Sequence, residues 1–183
     1  QLKSFLKETG LNTVCESASC PNIGTCWDAG TLTFMILGES CTRACRFCDV
    51  PTGHLNWPDP DEPEKVALSL SRLDLKFAVI TSVDRDDLSD GGAGHWVKTI
   101  GAIRGRCLEI KIEALIPDFQ GDQDALEEVM GAGPEILNHN VETVPRLYGI
   151  MRPQAKYDQS LELLRRAKTA LPDMLVKSGI MVG

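Results

Sequence analysis

In the stretch ESCTRACRFCDV, residues 39 to 50, Cys41, Cys45 and Cys48 stand at a C-x3-C-x2-C spacing, and no fourth cysteine follows closely. Three thiolates so near one another invite two chemistries, tetrahedral zinc and an iron-sulfur cluster. Both take four protein ligands when the site is purely structural. A set of three leaves one metal position open, and an open position is where a substrate or cofactor binds. A second set, Cys15, Cys20 and Cys26, is spaced C-x4-C-x5-C and again lacks a nearby fourth. Zinc ribbons usually present paired C-x2-C knuckles, which neither triplet builds. Two separate triplets therefore favour iron-sulfur chemistry, since a cubane can hold three cysteines and leave its fourth iron for another ligand. Cys107 stands alone before an apolar run and reads as a small buried hydrophobe.

The cysteines need elements to position them. TLTFMILG (31 to 38) is a short apolar run closed by glycine and predicts a strand buried on both faces, so the triplet at 41–48 sits in a loop at that strand's carboxyl end. Four prolines break PTGHLNWPDPDEP, which excludes regular structure there. Beyond it, helical spacing in residues 64–75, 95–107, 122–133 and 157–171 alternates with strand-like runs over 76–83, 108–116, 135–142 and 174–182. Residues 2–8 fit a short amphipathic helix, and CESASCPNIGTC after it reads as a loop. Alternating strands and helices imply parallel βαβ units and an α/β fold, either doubly wound or barrel-like. In both, ligands bind at the carboxyl ends of the strands.

The unusual polar residues do follow strands. TSVDRDDLSDGGAGH follows the second, Glu113 lies in the third with Pro117 and Asp118 just beyond, Asn138, His139 and Asn140 close the fourth, and Lys177 and Ser178 lie in the fifth. Taken singly, DRDD reads as a solvated turn with a helix cap and His139 as a partner of local backbone. Glu113 has apolar neighbours, and a buried carboxylate requires a cationic partner. DGGAG matches neither the dinucleotide fingerprint nor the P-loop, and the acidic cluster does not keep the register of an EF-hand.

At 183 residues the chain has room for one domain with a sizeable core. A net charge of -7, with basic residues scattered among acidic ones, argues against nucleic acid, and no apolar run is long enough to span a bilayer. Seven cysteines, an odd number gathered mostly in two clusters, point to a reducing compartment and metal ligation. The chain starts without methionine and ends inside a strand-like run, so both ends read as cut.

CTRACRFC, with Phe47 before its last cysteine, resembles the signature of the radical S-adenosylmethionine superfamily. VCESASCPNIGTCW is similar to the auxiliary-cluster motif of the lipoyl synthase family, and TSVDRDDLSDGGAGH and NHNVETVPRLYGIMRPQAKY resemble that family too, in the same order. The resemblance runs from about Leu2 to Gly183. It implies a partial (β/α)6-type TIM-like barrel over residues 31–183, incomplete at the C-terminus, and an N-terminal extension over residues 1–30 carrying the auxiliary cluster motif.

Two 4Fe-4S clusters are then implied. Cys41, Cys45 and Cys48 would hold the catalytic one, whose open iron chelates S-adenosylmethionine, and Cys15, Cys20 and Cys26 the second, which similar enzymes consume as sulfur source. The implied reaction is radical insertion of sulfur at C6 and C8 of an octanoyl chain carried on a lysine. Phe47, Thr81, Ser82, Arg85, Glu113 and Asn140 are the implied cofactor contacts, with Arg85 implied either to meet a carboxylate or to line the substrate tunnel. The implied partners are an octanoylated lipoyl-carrier domain and a reducing electron donor such as flavodoxin or ferredoxin, with neither nucleic acid nor membrane. The implied compartment is bacterial cytoplasm, mitochondrial matrix or plastid.

The family takes the auxiliary cluster's fourth ligand from a serine in a C-terminal R-S-S-Y segment, which this sequence does not contain. The chain thus reads as a fragment, poorly active alone. The competing readings are a biotin-synthase-like sulfur inserter, a two-cluster electron carrier and a zinc-stabilised module.

Overall fold

The computed structural model of the chain describes residues 10–14, 25, 31–53, 55–73 and 75–182. A two-residue strand, β1 (Asn12–Thr13), lies antiparallel on β2 (Leu32–Ile36). From there the chain alternates through α1 (Glu62–Leu73), β3 (Phe77–Ser82), α2 (Ala93–Arg106), β4 (Lys111–Leu115), α3 (Gln123–Gly131) and β5 (Ile136–Asn138). Two helices in succession, α4 (Pro145–Met151) and α5 (Tyr157–Ala170), precede the edge strand β6 (Leu175–Lys177). β2 to β6 pair in parallel and in chain order. A doubly wound sheet would reverse its order at a switch point. Sequential order with right-handed crossovers instead puts the helices on one face and lets the other curl around an interior. The architecture is the α/β partial barrel expected from the sequence. No helix among the described residues is long and apolar enough to cross a membrane.

The strands divide their side chains with a period of two. Leu32, Phe34, Ile36, Ala78, Ile80, Ile112, Ala114 and Leu137 are buried in the core, together with Val66, Ala67 and Leu70 of α1, Trp96, Ile100 and Ile103 of α2, and Val129 of α3. Each large apolar side chain removed from water in this way contributes about 1.5–3 kcal/mol. Trp96 is fully buried, and its indole N–H donates to Ser82 Oγ at 3.3 Å, which joins α2 to the end of β3. The alternate residues Thr33, Met35, Val79, Thr81 and Leu115 line the interior cavity.

The expected elements are present with shorter strands. Leu108 is exposed and β4 begins only at Lys111, because Cys107 closes α2 through its N–H to Ile103 O and Ile110 N–H then returns to Cys107 O. The strand expected over 135–142 stops at Asn138, and Glu142 takes a φ of 63°, which turns the chain away. The run 174–182 is regular over Leu175–Lys177 alone. α4 was not anticipated: Pro145 occupies its first turn, where proline's missing N–H costs nothing. The helix expected over residues 2–8 lies outside the described residues.

The turn that leaves β2 positions the site. Leu37 is buried with φ at 70°, a left-handed conformation that costs a branched residue about 1–2 kcal/mol. Its backbone is held from both sides: its N–H donates to Glu62 Oε2 at 2.8 Å, and its carbonyl accepts from Arg85 Nη1 at 3.2 Å. His95 Nε2 lies 2.7 Å from the same Glu62 oxygen. Gly92 faces Leu37 with a φ of 91°, so a side chain there would be strained, and its Cβ would come within 2.5 Å of Leu37 Cδ1.

The cysteine loop is then fixed by Arg43, which is 4% exposed. Its guanidinium donates to Asp86 at 2.7 and 2.8 Å and to Asp118 at 2.9 and 2.7 Å, and lies 3.4 Å from Asp84. Three loops, after β2, β3 and β4, are thereby tied at one point. Arg43→Met leaves Asp118 buried without its cation and is expected to cost about 3–5 kcal/mol in urea denaturation. Arg43→Met together with Asp118→Asn should cost less than the single change, and an unchanged midpoint in Arg43→Met would show that the carboxylates do not depend on this cation.

Candidate active site

The loop carrying Cys41, Cys45 and Cys48 hangs from three neighbours. Cys41 N–H donates to Pro51 O, and Thr42 donates through both its N–H and its hydroxyl to Asp84 O, at 3.1 and 2.9 Å. Arg46 N–H donates to Met151 O at 2.9 Å, and Ala44 N–H to Gln154 Oε1 at 3.3 Å. The three thiols open on one cavity of 390 Å³ at the carboxyl ends of the strands.

Cys41 Sγ accepts from the backbone N–H groups of Arg43 and Asp84, at 3.4 and 3.3 Å, and lies 3.8 Å from Asp84 Oδ2. Burial, with the Asp84 charge adding to it, pushes its thiol up to about 11. Burial also raises the Cys45 thiol, and the charge of Arg152 is the largest influence against it. Burial lifts the Asp84 carboxyl to about 6, with Asp118 and Asp86 adding to the rise and Arg43 opposing it. Asp118 goes the other way: its burial is outweighed by the hydrogen bond and charge of Arg43, which hold its carboxyl below the usual range.

This donor set fits a cluster. Thiols that resist ionisation by themselves become thiolates on a metal, whose positive charge reverses the local balance. N–H groups aimed at a ligand sulfur are the outer-shell contacts that iron-sulfur sites use. Among the described residues no three His, Cys, Asp or Glu side chains converge on one metal ion. A cubane asks for something else, one thiolate on each of three different irons. Arg152 is 8% exposed, lines the cavity, and has an Nε without a hydrogen-bond partner among the described residues.

Of the residues singled out in the sequence, Cys41, Cys45, Cys48, Phe47, Thr81, Ser82 and Asn140 come together on this cavity. Arg85 does not: it is buried behind the site, with Nε and Nη2 each 2.8 Å from Asp87 and Nη1 on Leu37 O. Glu113 is not on the cavity wall either. It accepts from Asn138 Nδ2 at 2.8 Å and from Lys177 Nζ at 2.8 and 3.1 Å, so the cation its burial required is a residue of β6. Cys15, Cys20 and Cys26 lie outside the described residues, and Val14, just before them, is on the cavity wall.

The aspartates of DRDD are not a solvated turn. Asp84 and Asp86 face Arg43, and Asp87 binds Arg85, while Asp90 accepts from the N–H groups of Gly92 and Gly94 as α2 begins. Asp118 was noted in the sequence as a polar residue just beyond the third strand, without its partner, whereas Arg43 and Arg152 were missed. A charged residue between two cysteines was the one available signal, since its partners are 43 and 75 residues away.

Residues 35–183 match the family model described as the Radical SAM superfamily. The lipoyl synthase of Chloroflexus aurantiacus (strain ATCC 29366 / DSM 635 / J-10-fl) is 54% identical over 98% of this chain and 58% of its own length. That of Roseiflexus sp. (strain RS-1) is 53% identical over 98% and 60%, and that of Alkaliphilus metalliredigens (strain QYMF) 53% over 100% and 63%. The chain thus spans about three fifths of the curated relatives it matches. Among solved structures, methylornithine synthase superposes with a TM-score of 0.62 at 17% identity over 82% of this chain and 44% of that one. HydG, a maturase of the FeFe-hydrogenase, gives 0.65 at 17% over 82% and 34%. At that identity the two bear on the fold alone. By its family match and its relatives, the chain belongs to the Radical SAM superfamily and, within it, to the lipoyl synthase family.

Proposed function

We propose that this chain carries the S-adenosylmethionine-cleaving core of a lipoyl synthase, which inserts sulfur at C6 and C8 of an octanoyl group held on a protein lysine. The superfamily implies a 4Fe-4S cluster and S-adenosylmethionine. The observation that carries the reading is the set of three thiols on one cavity wall, at the carboxyl ends of parallel strands, in a loop pinned by Arg43.

When bound, these cofactors supply one-electron cleavage of a sulfonium and abstraction of hydrogen from an unactivated carbon. The chain's own residues do the rest. Cys41, Cys45 and Cys48 would hold the cluster, and with only three protein ligands it would keep a position for S-adenosylmethionine. Asn140 offers an amide on the same cavity, Ser82 lies on its wall with the hydroxyl held by the indole N–H of Trp96 at 3.3 Å, and Thr81 is steadied by its hydroxyl donating to Leu115 O at 2.9 Å. Met35, Val79 and Leu115 make the wall apolar, which excludes water from a reaction that water or a stray reductant would divert.

The second cluster belongs to Cys15, Cys20 and Cys26, whose segment follows Val14 on the cavity wall. The substrate is an octanoylated lipoyl-carrier domain, and the electron comes from a flavodoxin or ferredoxin. Nucleic acid and membrane have no part.

After anaerobic reconstitution, about eight irons and eight sulfides per chain are expected for two cubanes, and about four for one. Zinc with little iron would overturn the reading. Cys45→Ala should abolish reductive cleavage of S-adenosylmethionine, whereas Cys20→Ala should keep it and lose only the second cluster, as read by chromatography of the nucleoside product. Loss of cleavage in both, with the circular dichroism unchanged, would mean the two triplets do not divide the work. Conversion of an octanoyl-lysyl peptide to the lipoyl form, followed by mass, tests the substrate.

A further inference from the structure

Arg152 is committed to a place no other residue of the cavity shares. Its segment clamps the cysteine loop from outside, through Arg46 N–H on Met151 O and Ala44 N–H on Gln154 Oε1. The guanidinium packs 5.4 Å from the centroid of the Tyr148 ring, and Nη1 donates to Tyr148 OH at 2.8 Å and to Asn140 O at 2.9 Å. Nε is buried and makes no hydrogen bond among the described residues. A buried donor left idle costs about 1–3 kcal/mol.

The guanidinium is also locked in orientation. His139 Nδ1 lies 2.9 Å from Ile116 O, a carbonyl that can only accept, so Nδ1 carries the proton and Nε2 accepts from Ser160 Oγ at 2.9 Å. Ser160 then accepts from Tyr148 OH at 3.0 Å, and Tyr148 in turn accepts from Arg152. Every donor in the chain Arg152, Tyr148, Ser160, His139 has one direction. The charges that face Arg152 from neighbouring elements are Glu142 after β5 and Asp84 after β3, and both share the cavity wall with Cys45.

On the proposed cluster at Cys41, Cys45 and Cys48, we infer that Arg152 sets the reduction potential: its fixed charge, on the cavity wall it shares with Cys45, stabilises the reduced state, and its unpartnered Nε–H is the donor left for a ligand sulfur there. A cation and a hydrogen bond at a ligand sulfur favour the added electron and raise the potential. Asp84, 3.8 Å from Cys41 Sγ, works the opposite way, so the surroundings of the cysteine loop are cationic toward Cys45 and anionic toward Cys41.

The test is a potentiometric titration of the cluster signal that S-adenosylmethionine perturbs, in the reconstituted chain and in Arg152→Gln, Arg152→Lys and Tyr148→Phe. A charge-assisted hydrogen bond is worth roughly tenfold in an equilibrium constant. Arg152→Gln should therefore lower the reduced fraction at fixed potential about tenfold, a shift of about 59 mV for a one-electron couple. Arg152→Lys, which keeps the charge, should recover most of that shift. Tyr148→Phe, which keeps the ring and frees the guanidinium, should give a smaller shift of the same sign. An unchanged potential in Arg152→Gln would overturn the inference. If that variant takes up no iron, an unchanged potential in Tyr148→Phe does so. Absence of any signal responsive to S-adenosylmethionine in the unaltered chain would overturn the cluster reading itself, and this inference with it.

Discussion

A guanidinium in a protein interior demands carboxylates around it, and Arg43 recruits them from two loops other than its own. Such a buried network adds little net stability, because desolvation of the charges offsets most of their attraction. Its consequence is geometric. Two cysteines flank Arg43 closely in sequence, so fixing the guanidinium against Asp86 and Asp118 also fixes where Cys41 and Cys45 can lie. Three carboxylates around one cation leave the group electrically negative, and the excess falls on Asp84, the aspartate nearest Cys41. Burial, with the charges of Asp118 and Asp86 adding to it, lifts the Asp84 carboxyl, whereas the hydrogen bond and charge of Arg43 hold Asp118 low. The cluster loop therefore carries a negative neighbour at one end and, through Arg152, a positive one at the other.

The period-two division of the strands lets the same sheet serve core and site. Even-numbered residues of β2 and β3, such as Phe34 and Ile80, face the core, and odd-numbered ones, such as Met35 and Thr81, face the cavity. Toward the far edge the interior becomes polar. There Asn138 and Lys177 both donate to Glu113 across β4, β5 and β6, so an ion pair stands where the first strands use apolar side chains. The left-handed Leu37 marks the boundary, and its cost is offset by Glu62 and Arg85, two charged side chains whose own partners, His95 and Asp87, lie behind the cavity.

What could be read in the sequence was what has a local cause. Strand runs such as TLTFMI and helical spacings such as that of residues 157–171 come from side chains a few positions apart, and they located the cysteine loop at a strand's carboxyl end correctly. Strand ends were read too long, because a positive φ at Glu142 or a turn at Cys107 leaves no mark on apolar periodicity. α4 was hidden by Pro145 and Gly149, residues that read as breakers although proline suits a first turn. Glu113 was sensed as a buried carboxylate in need of a cation from a ligand or a basic side chain, and Arg85 as meeting a carboxylate or lining a tunnel; within the chain their partners are Lys177, and Asp87 with Leu37. A buried charge announces that it needs a partner and does not say which.

The contacts that shape the cysteine loop share one property: their partners are remote in the chain. Thr42 meets Asp84, Arg43 meets Asp118, and Ala44 meets Gln154, separations of 42, 75 and 110 residues. Contacts of such reach form only after the sheet has brought the loops together, because loop-closure entropy must be met before they return anything. The thiols are held by this scaffold, and at Cys41 and Cys45 burial disfavours the ionised form that a metal needs. A site held in this way binds its cluster against a prepared electrostatic background. That background is set by Arg43 with its aspartates on one side and by Arg152, held through Tyr148, Ser160 and His139, on the other.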